Sequence, residues 1–203
     1  MTYKNLGPPT KSSQKPDTFW GGFRQKIMWF NKEINMKKII FCAGVLMFGL
    51  GKVQAETLKV GDPAPNFTAA ASDGSQVELK NVIGKSPIVL YFYPKDDTPG
   101  CTKEACSLRD NFAAFRKLNA TVYGISYDSI ESHKQFIDKY KLPFVLISDS
   151  DHSIAKLYGS YSLLYAKRMT FVVDKAGKIA WLNPKVDSTT HSAELQAVLA
   201  KLQ

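Results

Sequence analysis

Cysteine is scarce in this chain, with three in 203 residues. That is too few for a disulfide scaffold, so the fold must rest on an apolar core. His133, His152 and His191 are widely separated and show neither H-E-x-x-H nor C-x-x-C partner spacing, so no metal site is implied. No P-loop, dinucleotide fingerprint or G-x-S-x-G occurs, so no nucleotide or serine-hydrolase chemistry is implied. No apolar run reaches the roughly 20 residues that a membrane-spanning helix needs. A single-signed charge is also missing where it would count. The formal charge is +9, but residues 1–55 hold nine Lys/Arg against Asp17 and Glu33, and the remaining 18 basic and 16 acidic residues nearly cancel. The folded part therefore offers no basic surface for nucleic acid.

What is present suffices for one ordinary domain, because 44% of the residues are apolar and 12% aromatic. Its beginning is set by the segment MKKIIFCAGVLMFGLGKVQA, residues 36–55. Lys37 and Lys38 form a positive start, Ile39 to Gly51 an apolar run, and Val53-Gln54-Ala55 a small-residue exit, which is the layout of a secretory signal peptide cleaved after Ala55. Such a segment touches the membrane only in transit and sends the domain to the periplasm. The competing expectation is an anchor through residues 39–51. Cys42 precedes most of the apolar run and reads as a small hydrophobe, not as a lipidation site. Residues 1–35 carry no recognisable chemistry. They read as an upstream extension lying outside the natural start at Met36, or as a disordered or cytoplasmic tail.

From Glu56 to the end the chain reads as one domain. Ser72-Asp73-Gly74-Ser75 predicts a hairpin turn before alternating Val77 and Leu79. Pro87 to Tyr93, apolar throughout, predicts a strand buried on both faces. A Pro/Gly loop over 94–100 follows, then a helix from about Cys101 to Leu118. Strands are expected at 120–126, 144–147, 169–173 and 179–182, and helices at 130–140, 152–158 and 191–202. This alternation predicts an α/β fold with a mixed central sheet flanked by helices.

The segment YFYPKDDTPGCTKEACSLRD, residues 91–110, concentrates the chemistry. A buried strand ends in a loop that delivers Cys101 to the start of a helix, where unpaired N–H groups and the positive end of the helix dipole favour the nucleophilic thiolate. Pro94, Thr98 and Cys101 form P-x-x-x-T-x-x-C, and Cys106 adds C-x-x-x-x-C. This pattern resembles the peroxiredoxins, specifically their Q-type or bacterioferritin-comigratory-protein branch, from about Leu58 to the end of the chain.

The resemblance implies a thioredoxin-like fold and a thiol-dependent peroxidase acting on hydrogen peroxide and organic hydroperoxides. Cys101 would attack the peroxide and become a sulfenic acid, Cys106 would resolve it as an intramolecular disulfide, and a thioredoxin-like partner would reduce that bond. A monomer and the absence of a bound cofactor are implied likewise. The family pattern also asks for an arginine just before a late strand, and Arg168 stands there in KRMTF. Its permanent charge would favour the Cys101 thiolate and its planar donors could hold peroxide oxygens. Thr98 could accept from the peroxide or donate to the thiolate, or merely cap the helix. Pro94 would shape and dry the pocket. Asp96 and Asp97 read as hydrating or capping the loop, Lys95, Lys103 and Arg109 as a solvated face, and Glu104 as a charge suited to the start of the helix dipole, with a contact to Arg168 as a second reading.

Residues five apart on an ideal helix have Cα atoms about 8.7 Å apart. A disulfide needs less than about 7 Å, so the helix is expected to unwind when Cys106 reaches Cys101. Two other readings compete. A periplasmic thioredoxin-fold thiol-disulfide oxidoreductase would use C-x-x-C and a proline where Arg168 stands. A binding domain with a purely structural Cys101–Cys106 bond would be stapled across a helix that resists the bond.

Overall fold

The computed structural model describes residues 57–203. The expected signal segment, Cys42 and the upstream residues lie outside that range. Seven strands and six helices follow one another: β1 Thr68–Ala70, β2 Gln76–Glu78, α1 Leu79–Val82, β3 Ile88–Phe92, α2 Pro99–Asp110, α3 Phe112–Lys117, β4 Thr121–Ser126, α4 Ile130–Tyr140, β5 Val145–Ser148, α5 Ser153–Tyr158, β6 Met169–Val173, β7 Ile179–Asn183 and α6 His191–Leu199. A short 3₁₀ turn, Ala200–Leu202, closes the chain.

Five strands form one mixed sheet in the order β5-β4-β3-β6-β7. β3 pairs parallel with β4 and antiparallel with β6, so it occupies the centre. Its residues alternate between two cores. Ile88, Leu90 and Phe92 face a cluster with Phe67, Tyr158 and Phe171, while Val89, Tyr91 and Tyr93 face one with Leu108, Phe115 and Phe136. A strand buried on both faces has no use for polar residues, which is why PIVLYFY is apolar throughout. One close approach needs a missing side chain: a Cβ at Gly124 of β4 would stand 2.6 Å from the Tyr91 hydroxyl oxygen and 2.6 Å from a Leu146 methyl.

Two expectations are corrected. Leu79 does not continue the β2 strand. It opens α1 and is fully buried, a gain of about 2 kcal/mol for a leucine side chain, so tertiary burial overrides the local alternation. The long helix over 101–118 is two helices, because Asn111 breaks it. The Asn111 side chain donates to the Ser107 carbonyl at 2.9 Å and its backbone N–H donates to the same oxygen. An amide side chain that bonds nearby backbone groups in this way offers an alternative to the regular helix ladder.

Candidate active site

β3 runs into the loop 93–98 and then into α2. Pro94 is half-buried at the strand exit, and Asp97, at φ 55, turns the chain through the left-handed region. Thr98 occupies the cap position, Pro99 the first helical position and Cys101 the third. Proline is suited to that first position because its missing N–H would have no partner there. Cys101, 2% exposed, lies in the first turn, where backbone N–H groups lack helical partners and the dipole is positive.

The second half of the site comes from β6. The antiparallel pairing of β3 with β6 sets Phe92 opposite Met169, so Arg168, one residue earlier, emerges beside the loop that leaves β3. Its Nη2 donates to Cys101 Sγ at 3.1 Å. Arg168 Nη1 donates to Oε2 of Glu104, which is fully buried in α2. Burial alone would lower the guanidinium, but Glu104 and Cys101 outweigh it and hold Arg168 above its ordinary value.

The network continues inward. Glu104 Oε1 lies 2.8 Å from Nδ1 of the buried His191, although the contact lies off the hydrogen-bond direction and neither atom has an aligned partner. His191 Nε2 is 3.0 Å from the hydroxyl of Thr170 in β6. Glu104 thus holds Arg168, the residue before β6, and touches His191, the first residue of α6. The sequence offered the Arg168 contact of Glu104 only as a second reading beside its fit to the helix dipole. It did not reveal His191 or Thr170, because their distance along the chain from Cys101 carries no recognisable spacing.

The Thr98 hydroxyl does not cap the helix. It donates to the Lys95 carbonyl at 3.1 Å, which occupies its proton and leaves its lone pairs free to accept. Cys106 is half-buried in the same helix as Cys101, and both thiols are free.

The reading of Asp96 as a hydrating residue is overturned. Asp96 is buried, accepts from the Tyr93 hydroxyl at 2.7 Å and the Ser132 hydroxyl at 2.8 Å, and stands 2.9 Å from Nδ1 of His133. Asp97 is exposed but anchored, 2.6 Å from Lys139 Nζ and 2.6 Å from the Tyr140 hydroxyl. Arg109 is half-buried and donates to the Tyr140 carbonyl at 2.7 Å. Lys95 and Lys103 are exposed as expected.

A strand, a loop cysteine at a helix start and an arginine from the antiparallel neighbour strand define the site, and residues 60–182 match the AhpC/TSA family model. The chain belongs to the AhpC/TSA family. Within it the peroxiredoxins of the Bcp and Q type are its relatives. Peroxiredoxin Bcp of Bacillus subtilis (strain 168) is 40% identical over 146 residues, covering 68% of this chain and 92% of the relative. Among solved structures, peroxidoxin BcpB of Mycobacterium tuberculosis superposes with a TM-score of 0.69 at 30% identity, covering 72% of this chain and 99% of that one. The bacterioferritin comigratory protein of Xanthomonas campestris, described for its alkyl peroxide reduction activity, gives a TM-score of 0.66 at 30% identity, covering 71% and 96%. The thioredoxin-like peroxiredoxin fold and the Q-type assignment follow for this chain.

Proposed function

We propose that this peroxiredoxin is a two-cysteine thiol peroxidase in which Cys101 is the nucleophile and Cys106 the resolving thiol. The contact from Arg168 to Cys101 Sγ carries the reading, because it sets a permanent cation against the sulfur at the positive end of a helix. The thiolate attacks one oxygen of the peroxide and the O–O bond breaks. The sulfur keeps a hydroxyl as sulfenic acid, and the departing oxygen leaves as alkoxide or hydroxide and takes up a proton. Arg168 donates to the oxygens as charge develops, and Thr98, its own proton engaged, accepts from the peroxide O–H. The 2% exposure of Cys101 favours a compact electrophile over a protein disulfide. The Xanthomonas campestris relative supports organic hydroperoxides beside hydrogen peroxide as substrates.

Cys106 then attacks the sulfenic sulfur, a disulfide forms and water leaves. Both residues lie in the helix Pro99–Asp110, where Cα atoms five residues apart are about 8.7 Å from each other, beyond the roughly 7 Å limit for a disulfide. The first turns of α2 therefore unwind, which breaks the ties of Glu104 to Arg168 and His191. A thioredoxin-like dithiol returns the enzyme to its reduced form. The layout of residues 36–55 supports export, with the reductant then a thioredoxin-like protein outside the cytoplasm.

Peroxide consumption by the full chain with a thioredoxin-type reductant tests the activity, and amide hydrogen exchange on the oxidised form tests the unwinding. Sustained turnover and loss of protection over residues 101–106 are expected. Untouched peroxide together with turnover of protein disulfides would refute the reading.

A further inference from the structure

The loop that carries Thr98 toward Cys101 hangs on a buried histidine–aspartate contact. The side chains of His133 and Asp96 are 0% and 3% exposed and their Nδ1 and Oδ2 atoms lie 2.9 Å apart. The other ring nitrogen, Nε2, faces the Ile147 carbonyl oxygen at 3.2 Å. A carbonyl oxygen can only accept, so Nε2 carries a proton. Nδ1 faces Asp96, whose Oδ1 takes the Tyr93 hydroxyl proton and whose Oδ2 takes the Ser132 hydroxyl proton. Burial, with Tyr91 and Asp96 nearby, holds Tyr93 well above the ordinary phenol range, so it remains a donor. The Tyr93 hydroxyl also lies 3.4 Å from Nδ1, so Asp96 and Tyr93 close on one side of the ring and Ile147 on the other. The remaining charged neighbour, Asp128, receives the Asp96 backbone N–H at 2.9 Å and the Ser126 hydroxyl at 2.7 Å.

We infer that the buried His133–Asp96 pair is a positioning element that holds the segment from Pro94 to Thr98 in place through the catalytic cycle. Its bonds run to α4, to β5 and to the β4–α4 connection, and none runs to α2. When α2 opens, Glu104 must release Arg168 and His191, whereas Asp96 need release nothing. The pair therefore confines unwinding to residues after Thr98 and returns Thr98 to the same place for the next peroxide. This role rests on the peroxidase reading, but the anchoring of the loop by the pair does not.

Two readouts on the full chain test it. Nitrogen-15 NMR of the His133 ring should show a proton on Nε2 and the same ring spectrum in the reduced and in the disulfide form. In Asp96→Asn the ring spectrum should change, and the rate constant for Cys101 oxidation by hydrogen peroxide should fall between about 10- and 100-fold, the scale of a small misplacement of reacting groups. Val173→Ala, which truncates the core at the opposite end of β6, should lose stability and keep the wild-type rate. A ring spectrum that changes on disulfide formation, or an unchanged oxidation rate in Asp96→Asn, overturns the inference. The disulfide form can be made with a thiol oxidant such as diamide, so the ring spectrum judges the pair even if peroxidase activity is absent.

Discussion

Arg168 reaches Cys101 across the sheet: its Nη2 donates to the sulfur at 3.1 Å while Nη1 is held by the buried Glu104. The guanidinium is therefore aimed before any peroxide arrives. Preorganised donors of this kind cost no reorganisation as charge develops.

Arg168→Lys keeps the charge and loses the planar fork, so one ammonium cannot serve Glu104, the sulfur and an incoming oxygen at once. The second-order rate constant for peroxide should fall about 100-fold, the lower end for removing a fixed donor. Stopped-flow oxidation of Cys101 checks it. A loss of less than a few fold would mean that charge alone, not geometry, governs the site.

Gly124→Ala inserts a methyl group 2.6 Å from both the Tyr91 ring end and Leu146. Neighbouring atoms on two adjacent strands would have to move, at a cost of about 1–3 kcal/mol typical of overpacking. Urea unfolding of the full chain measures it. The same displacement presses on Tyr91, which packs against the His191 ring at 6.2 Å between centroids, so peroxide reactivity should fall along with stability.

Asp97 makes a pH-dependent contribution. Its hydrogen bonds with Lys139 and Tyr140 hold its carboxyl below the ordinary value. A depressed carboxylate stabilises the fold above its unfolded pKa of about 3.9, and that stabilisation disappears as pH falls through the lower folded value. Asp97→Asn, which tolerates the left-handed backbone at this position, should be less stable than wild type at neutral pH and indistinguishable from it in strong acid. Denaturation midpoints at the two pH values decide. A difference that persists in acid would assign the effect to the loop backbone.

The chemistry-bearing segment was legible because its signals are local. P-x-x-x-T-x-x-C lies within one strand-loop-helix unit, whereas Arg168 was found only through the family pattern, which asks for an arginine just before a late strand. The helix Ile130–Tyr140 and the strand Met169–Val173 have the bounds their patterns predict, since periodicity and β-branching speak for themselves over such lengths. What stayed hidden depends on contacts made after folding. Asp96 looks like any loop aspartate until His133 arrives from a helix 37 positions away. His191 acquires meaning only when α6 packs beneath Glu104. Leu79 alternates correctly for a strand, but the core requires it inside a helical turn.

Rapid mixing of the full chain with hydrogen peroxide, followed by mass analysis of wild type, Cys101→Ser and Cys106→Ser, tests the central claim most directly. The account predicts that wild type forms an intramolecular disulfide, that Cys106→Ser reacts once and stops as a sulfenic acid on Cys101, and that Cys101→Ser does not react. Peroxide consumption by Cys101→Ser at the wild-type rate would contradict it.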